Sequence, residues 1–397
     1  MKEPETREPL KPNSTPPTHP SNAQQIGGTA FWVPAITTAG MAVALLSALL
    51  YFALFNNPFR SSQSEDSTSQ PEGIAGQPED IASQSRDVEN QPDAIPDNGA
   101  QATPGLNLVK SLRESSPVWA VTTFARPEGQ VLVRGGNADG DINIWDGLTG
   151  EILHPLTAHN DTVRTLAVSP SGQRLVSGSG DGIKVWQPQT GELLYSLPTE
   201  PGLPIWTVSI SPDEQTFVSG DYGGNVTVWD LETGEQRYRK QIDVPVWSIA
   251  IAPDGESFVG GSSDKKVRQW DLETGELMQT LTGHDDAVRA VALSPDGDTL
   301  ISGSWDSTIK VWTLENGELA ATLAGHDDRV VSLAISPDGD TLASSSIDST
   351  LKLWDLPSRQ LIKTLDNNDD WILTVAFDPM AQTLVSGSKD QKIKIWQ

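Results

Sequence analysis

From residue 106 onward the chain is written in short runs that alternate apolar and polar positions, such as VRAVALSP, DTLISGS and IKVW. Alternation at period two puts the apolar side chains of each run on one face of a β-strand. The runs recur as a cassette. A tryptophan closes a β-branched run at Trp145, Trp186, Trp229, Trp270, Trp312, Trp354 and Trp396, at intervals of 41 to 43 residues. Turn prolines keep the same rhythm at Pro127, Pro170, Pro212, Pro253, Pro295, Pro337 and Pro379. Three of those turns read Pro-Asp-Gly, and a fourth reads Pro212-Asp213-Glu214. Proline presets φ there, and Asp or Gly accepts the tight bend. Four short strands per cassette, seven times over, predict an all-β fold: a seven-bladed β-propeller over 106–397.

Ring closure can be anticipated from the same alignment. The last cassette stops at Gln397, directly after its third strand. Residues 106–112 (LNLVKSL) align with the outer strands ELMQTL and ELAATL. They are expected to complete the last blade, which would remove an exposed sheet edge.

These residues resemble the WD-repeat β-propeller family, in the form of a bacterial-type, membrane-anchored WD-repeat protein. Trp-Asp itself stands at 145–146, 229–230, 270–271 and 354–355, and the Gly-His element at Gly283-His284 and Gly325-His326, with Ala158-His159 a near match. The resemblance implies a buried His–Ser–Asp–Trp hydrogen-bond chain inside a blade. Three cassettes can supply it: His159, Ser177, Asp181 and Trp186; His284, Ser302, Asp306 and Trp312; His326, Ser344, Asp348 and Trp354. A buried imidazole needs both nitrogens satisfied and an indole N–H needs an acceptor. Three copies at equivalent positions favour structure over hydrolase chemistry.

Ahead of the repeats the composition changes three times. Residues 1–30 are rich in Pro, Thr and Ser, with three basic and three acidic residues, and are expected to be a disordered tail. Residues 31–55, FWVPAITTAGMAVALLSALLYFALF, lie in a stretch with no Asp, Glu, Lys or Arg between Lys11 and Arg60. About 20 apolar residues span a bilayer, and aromatic residues stand at both ends, so a single transmembrane helix is expected. The leader is too long and the apolar core too extended for a cleaved signal peptide. The excess of basic residues before the span places the rest on the extracytoplasmic side. Residues 56–105 carry two basic against nine acidic residues and read as an acidic disordered linker.

The net charge of −26 argues against a nucleic-acid partner, because phosphate binding is driven by Lys and Arg. The absence of cysteine removes disulfides, thiolate nucleophiles and cysteine-bearing metal sites. The five histidines show no metal-ligand spacing, and no nucleophile elbow or phosphate loop is present. Asp139-Gly140-Asp141 and the recurrent Thr-Gly-Glu read as turns. No catalysis, cofactor or metal is therefore expected.

Five tryptophans remain beyond the blade markers and Trp32: Trp119, Trp206, Trp247, Trp305 and Trp371. With the four strands of a cassette lettered d, a, b and c in chain order, partners in the resembled family dock where strand a begins and where strand b turns into strand c. Alignment places Trp119, Arg164, Trp206, Trp247, Arg289, Val331 and Leu373 at one strand-a position, with Trp371 two residues before Leu373. Tyr222, Trp305 and Ile347 occupy equivalent b–c positions. Trp and Arg are over-represented at binding hot spots. The expectation is a membrane-anchored, non-catalytic scaffold that holds other proteins on this face, and whose partner has an apolar anchor flanked by Lys or Arg. Two alternatives are weighed beside it. One is that these tryptophans wall the central channel. The other is an extracytoplasmic propeller enzyme, ligand binder or envelope-assembly factor that uses that channel.

Overall fold

The computed structural model describes residues 106–397 apart from 127–128, 136–139, 148, 367 and 379–382, with backbone alone for 125–126 and 129–135. The tail, apolar stretch and acidic linker expected over 1–30, 31–55 and 56–105 lie outside the described residues. Among the described residues no helix is long and apolar enough to cross a membrane. Every regular element there is a β-strand.

The strands pair into seven four-stranded antiparallel sheets, which we number as blades in chain order. Six are continuous in sequence: residues 120–157, 165–197, 205–241, 246–282, 288–324 and 330–365. The seventh joins Ile372–Phe377, Leu384–Ser388 and Lys392–Trp396 to a strand from the start of the domain, Leu108–Arg113. That strand runs antiparallel to Lys392–Trp396, with Leu112 opposite Ile393. Leu112 packs with Val118, Trp145, Ile393 and Ile395, so it ties the seventh blade to the first.

Burial explains the register. The second strand of a blade is buried on both faces, as in Leu175–Ser179 and Thr216–Asp221, because it lies inside its own sheet and between two neighbours. Outer strands such as Glu192–Leu197 are largely exposed. The turn chemistry is as the residues dictate. Gly255, Gly297 and Gly339 take positive φ in the Pro-Asp-Gly turns, and Glu214 takes the same conformation at 57° without glycine's freedom. The aspartate of Trp-Asp caps the following Thr-Gly-Glu turn: Asp230 Oδ1 accepts from Thr233 N at 3.0 Å, and Asp271 Oδ1 from Thr274 N at 2.7 Å.

The inner strands also touch one another through a hydroxyl that was not anticipated. Thr207 Oγ1 accepts from Ile249 N at 2.9 Å, Thr165 from Val208 N at 3.1 Å, and Ser248 Oγ from Val291 N at 3.1 Å. Ser332 accepts from Val375 N at 3.2 Å and Thr374 from Val121 N at 3.3 Å. At the other two junctions alanine (Ala120, Ala290) stands in the hydroxyl's place.

Candidate protein-interaction face

The loops of this face are held by the buried polar chains. In blade 5, His284 Nδ1 lies 2.8 Å from Asp306 Oδ2, His284 Nε2 lies 2.8 Å from Ser302 Oγ, and Trp312 Nε1 donates to Ser302 Oγ at 2.8 Å. Blade 6 repeats this with His326, Asp348, Ser344 and Trp354 at 2.7–2.9 Å. Blade 2 does so with His159, Asp181, Ser177 and Trp186 at 2.5–3.0 Å.

The chemistry sets the direction of each chain. Burial on its own would raise the pKa of Asp306 and Asp348, but hydrogen bonds from the imidazole and from Thr308 or Thr350 outweigh it. Both carboxyls are held well below the usual carboxylate range. An ionised carboxylate only accepts, so His Nδ1 donates. The indole N–H only donates, so serine accepts from it and donates to Nε2. Thr308 and Thr350 are members of the network that sequence reasoning missed. So are Ser179, Ser304 and Ser346, whose hydroxyls each donate at 3.0 Å to the backbone carbonyl of a loop aspartate: Asp161, Asp286 and Asp328. Each of these aspartates accepts the next residue's N–H at 2.6–2.7 Å, which fixes the loop, and the second oxygen of Asp161 also accepts from Arg164 Nη1 at 3.3 Å.

The expected partner-binding residues fall into two groups. Trp119, Arg164, Trp206, Trp247, Arg289, Val331 and Leu373, one from each blade, line a single cavity of about 140 Å³ where the inner strands converge. Tyr222, Trp305, Ile347 and Trp371 do not line it.

The structure corrects the picture of an exposed aromatic rim. Trp206 and Trp247 are each 5% exposed, and Tyr222, Val331, Ile347 and Leu373 are buried as well. Convergence of the inner strands crowds these positions, so large side chains pack on their neighbours rather than facing outward. Trp206 meets Trp247 edge-on at 4.8 Å, and Trp247 contacts Tyr222 at 5.9 Å and Trp305 at 6.1 Å.

Cations cover the remaining ring faces. Arg164 lies 5.3 Å from the centre of Trp206. Arg289 lies 5.2 Å from Trp206 and 5.4 Å from Trp247. Arg329 caps Trp305 at 4.7 Å and Lys389 caps Trp371 at 3.8 Å. Arg289 also donates to the Trp247 carbonyl at 3.1 Å. It extends from blade 5 past blade 4 to a ring on blade 3. Among the loop aspartates, Asp285, Asp286, Asp327, Asp328 and Asp369 are exposed and Asp161 and Asp370 half-buried; Asp161 pairs with Arg164 at 3.3 Å, Asp370 with Lys389 at 3.9 Å and Asp369 with Lys392 at 2.5 Å. Among the described residues no group of three or more His, Asp or Glu is arranged to hold a metal ion.

Blades of this pattern, with indole, serine, aspartate and imidazole in their repeat positions, define an all-β WD propeller. Residues 150–187 and 191–230 match the family described as WD domain, G-beta repeat, and residues 245–397 match the IFT122 first beta-propeller. The chain is 30% identical over 116 residues to the Periodic tryptophan protein 2 homolog of Neurospora crassa, covering 28% of this chain and 12% of that protein. It is 34% identical over 122 residues to the U3 small nucleolar RNA-associated protein 15 homolog of Xenopus laevis, covering 30% and 22%. It is 33% identical over 134 residues to Striatin-4 of Mus musculus, covering 30% and 17%. The chain thus spans less than a quarter of each of these relatives. All three are eukaryotic, and nothing among them supports the bacterial-type placement.

Proposed function

We propose that the protein is a non-catalytic interaction scaffold, and that its partner proteins bind the face where the channel opens between the acidic loops. The observation that carries this is the loop construction. Several aspartates are held in fixed positions by buried serines, yet present exposed charge that no turn requires. Relatives that share the repeats include striatin and U3-associated proteins. The acidic balance of the chain favours a protein partner with Lys or Arg flanks over a nucleic acid. The apolar stretch 31–55 supports a single membrane anchor, and the basic residues before it support an extracytoplasmic propeller.

The test is proximity cross-linking of the full chain against a variant carrying Asp285→Asn, Asp286→Asn, Asp327→Asn and Asp328→Asn. Asparagine keeps the acceptor oxygen that the loop uses, so the melting temperature should hold while partner recovery collapses. An unchanged set of cross-linked proteins, or recovery of RNA in their place, overturns the scaffold reading. Release of the full chain from membranes by alkaline carbonate overturns the anchor.

A further inference from the structure

Among the described residues, every exposed large hydrophobic side chain lies in the first three positions of an outer strand. Blades 4, 5 and 6 present five of them: Leu277 and Met278 are 54% and 58% exposed, Leu319 46%, and Leu361 and Ile362 45% and 42%. These positions form one surface, because neighbouring blades are tied together at this level. Gln279 Nε2 of blade 4 donates to the Leu314 carbonyl of blade 5 at 2.6 Å, and Arg359 Nη1 of blade 6 donates to the Ala320 carbonyl of blade 5 at 2.9 Å. The repeat does not require the apolar pair. Blade 3 folds with Gln236 and Arg237 in its place, and Arg237 donates to Asp230 at 2.9 Å.

The backbone at this level offers a partner no regular ladder, because each of these outer strands carries a bulge. Trp270 faces Leu277 and Gln269 faces Gln279, which leaves Met278 without an opposite residue, and Ala320 and Ile362 are left the same way. Bulges turn an outer edge away from strand addition, so recognition here falls to side chains. The turns that open the outer strands of blades 4 and 5 add carboxylates. Glu273, Glu276, Glu315 and Glu318 are exposed, and no ion pair holds them among the described residues. A contiguous apolar surface with an anionic margin is complementary to a helix whose apolar stripe is edged by Lys or Arg. We propose that the outer flank of blades 4 to 6 docks such a basic amphipathic helix of a partner protein. Leu277, Met278, Leu319, Leu361 and Ile362 receive its apolar stripe, and the glutamates pair with its cations. Leu277 opens the strand whose far end leads into Asp285 and Asp286, so this site lies at the opposite end of the blades from the acidic loops. It goes beyond the scaffold face and is independent of it.

The experiment uses the full chain and an end-blocked peptide, KLAKLLKKLAKLLK, whose leucines share one helical face and whose central leucine is replaced by photo-leucine. Its controls are the same peptide with glutamate for every lysine, and a scrambled peptide without the stripe. Illumination and mass spectrometry should place the cross-links on the outer strands of blades 4 to 6, with both controls about tenfold lower in yield. Leu277→Gln with Met278→Gln should cut the yield about tenfold. Glu273→Gln, Glu276→Gln, Glu315→Gln and Glu318→Gln together should cut it about threefold and remove its salt dependence. Leu277→Gln with Met278→Arg reproduces the pair with which blade 3 folds, and a melting temperature recorded on each variant separates lost binding from lost fold. The loop Asp→Asn variant should leave these cross-links unchanged. Cross-links confined to the aspartate loops, equal yield from the scrambled peptide, or no response to the Leu277 and Met278 substitutions overturns the proposal and leaves the scaffold face to its own test. Absence of any cross-link to the propeller overturns it as well.

Discussion

Blades 5 and 4 carry the same tryptophan and the same turn aspartate, yet they hold that aspartate by different means. In blade 5 an imidazole bridges Asp306 to Ser302, and the Asp306 side chain is 10% exposed. In blade 4 the histidine position is Ile242, which packs on the blade core, and the serine position is Gly260. A Cβ at Gly260 would lie 2.9 Å from the Trp270 ring, and that ring stacks on Phe258 at 5.1 Å. Asp264 is held instead by Arg268 through two bonds of 3.1 and 2.6 Å, at 23% exposure. Blade 7 uses a third device. Asn368 replaces histidine and accepts from Lys394 at 2.8 Å, while Asp390 lies 3.6 and 3.8 Å from Lys392 and Lys394. In these three blades the constants are the indole and the aspartate of the turn between the second and third strands. The group that holds the aspartate is replaceable, provided it supplies a donor.

The largest effect expected is at the join of the ring. Blade 7 obtains its outer strand from Leu108–Arg113, so deleting residues 106–112 removes a ladder and the buried Leu112 together. A loss of about 4–6 kcal/mol is expected, with a fall of more than about 10 °C in melting temperature. Thermal unfolding of the truncated domain checks this, and an unchanged midpoint would mean the ring closes without the clasp.

Next comes the clamp itself. His284→Ala leaves Asp306 buried without its imidazole and should cost about 3 kcal/mol, because breaking a buried pair strands a charge. Arg268→Ala leaves the more exposed Asp264, which water can solvate, and should cost about 1 kcal/mol. Urea unfolding of the two variants gives the ratio. Equal losses would show that the imidazole has no advantage over the guanidinium.

The third effect is on pH. Burial lowers the pKa of His159 below the ordinary 6.5, despite the opposing hydrogen bond with Asp181. The unfolded imidazole therefore takes its proton first. Stability is full above about pH 6.5 and is lost as pH falls below it. The carboxyls of Asp306 and Asp348 are depressed, so their contribution is present above about pH 3.8 and is lost as pH falls further. Asn368 shows that the fold accepts asparagine at this position. His159→Asn should flatten the loss between pH 7 and 5 while leaving the acid limb below pH 4. Melting temperatures across that range decide it.

The two halves of this comparison were unequally legible in the sequence. The His–Ser–Asp–Trp sets could be placed because strand periodicity fixes which side chains share a face, and the fixed spacing carries them to one end of a blade. The clamps of blades 4 and 7 could not. Arg268 and Lys394 sit on ordinary strand positions, and nothing in their spacing announces a partner. The channel tryptophans were misjudged for a different reason. Period two tells which face of the inner strand Trp206 and Trp247 occupy, but not how closely seven such strands converge. Arg289 reaching a ring two blades away is a long-range contact that no local pattern encodes.

The smallest effect separates links within a blade from links between blades. Thr207 Oγ1 accepts the Ile249 N–H across the junction of blades 3 and 4, and both residues are buried. Thr207→Ala removes the acceptor from a buried amide and should cost about 1–1.5 kcal/mol, slightly more than a typical net hydrogen bond, because the donor is left unmade. Thr207→Ser keeps the oxygen and should recover most of that. At the junction of blades 5 and 6, Ala290 occupies the same register, so Ala290→Ser offers Leu333 the side-chain acceptor that most other junctions carry and should raise the melting temperature by about 1–2 °C. If Thr207→Ser melts with Thr207→Ala rather than with the wild type, the threonine methyl is what joins the blades. The ring is then held between blades by packing, and specific hydrogen bonding is confined to the clamps within them.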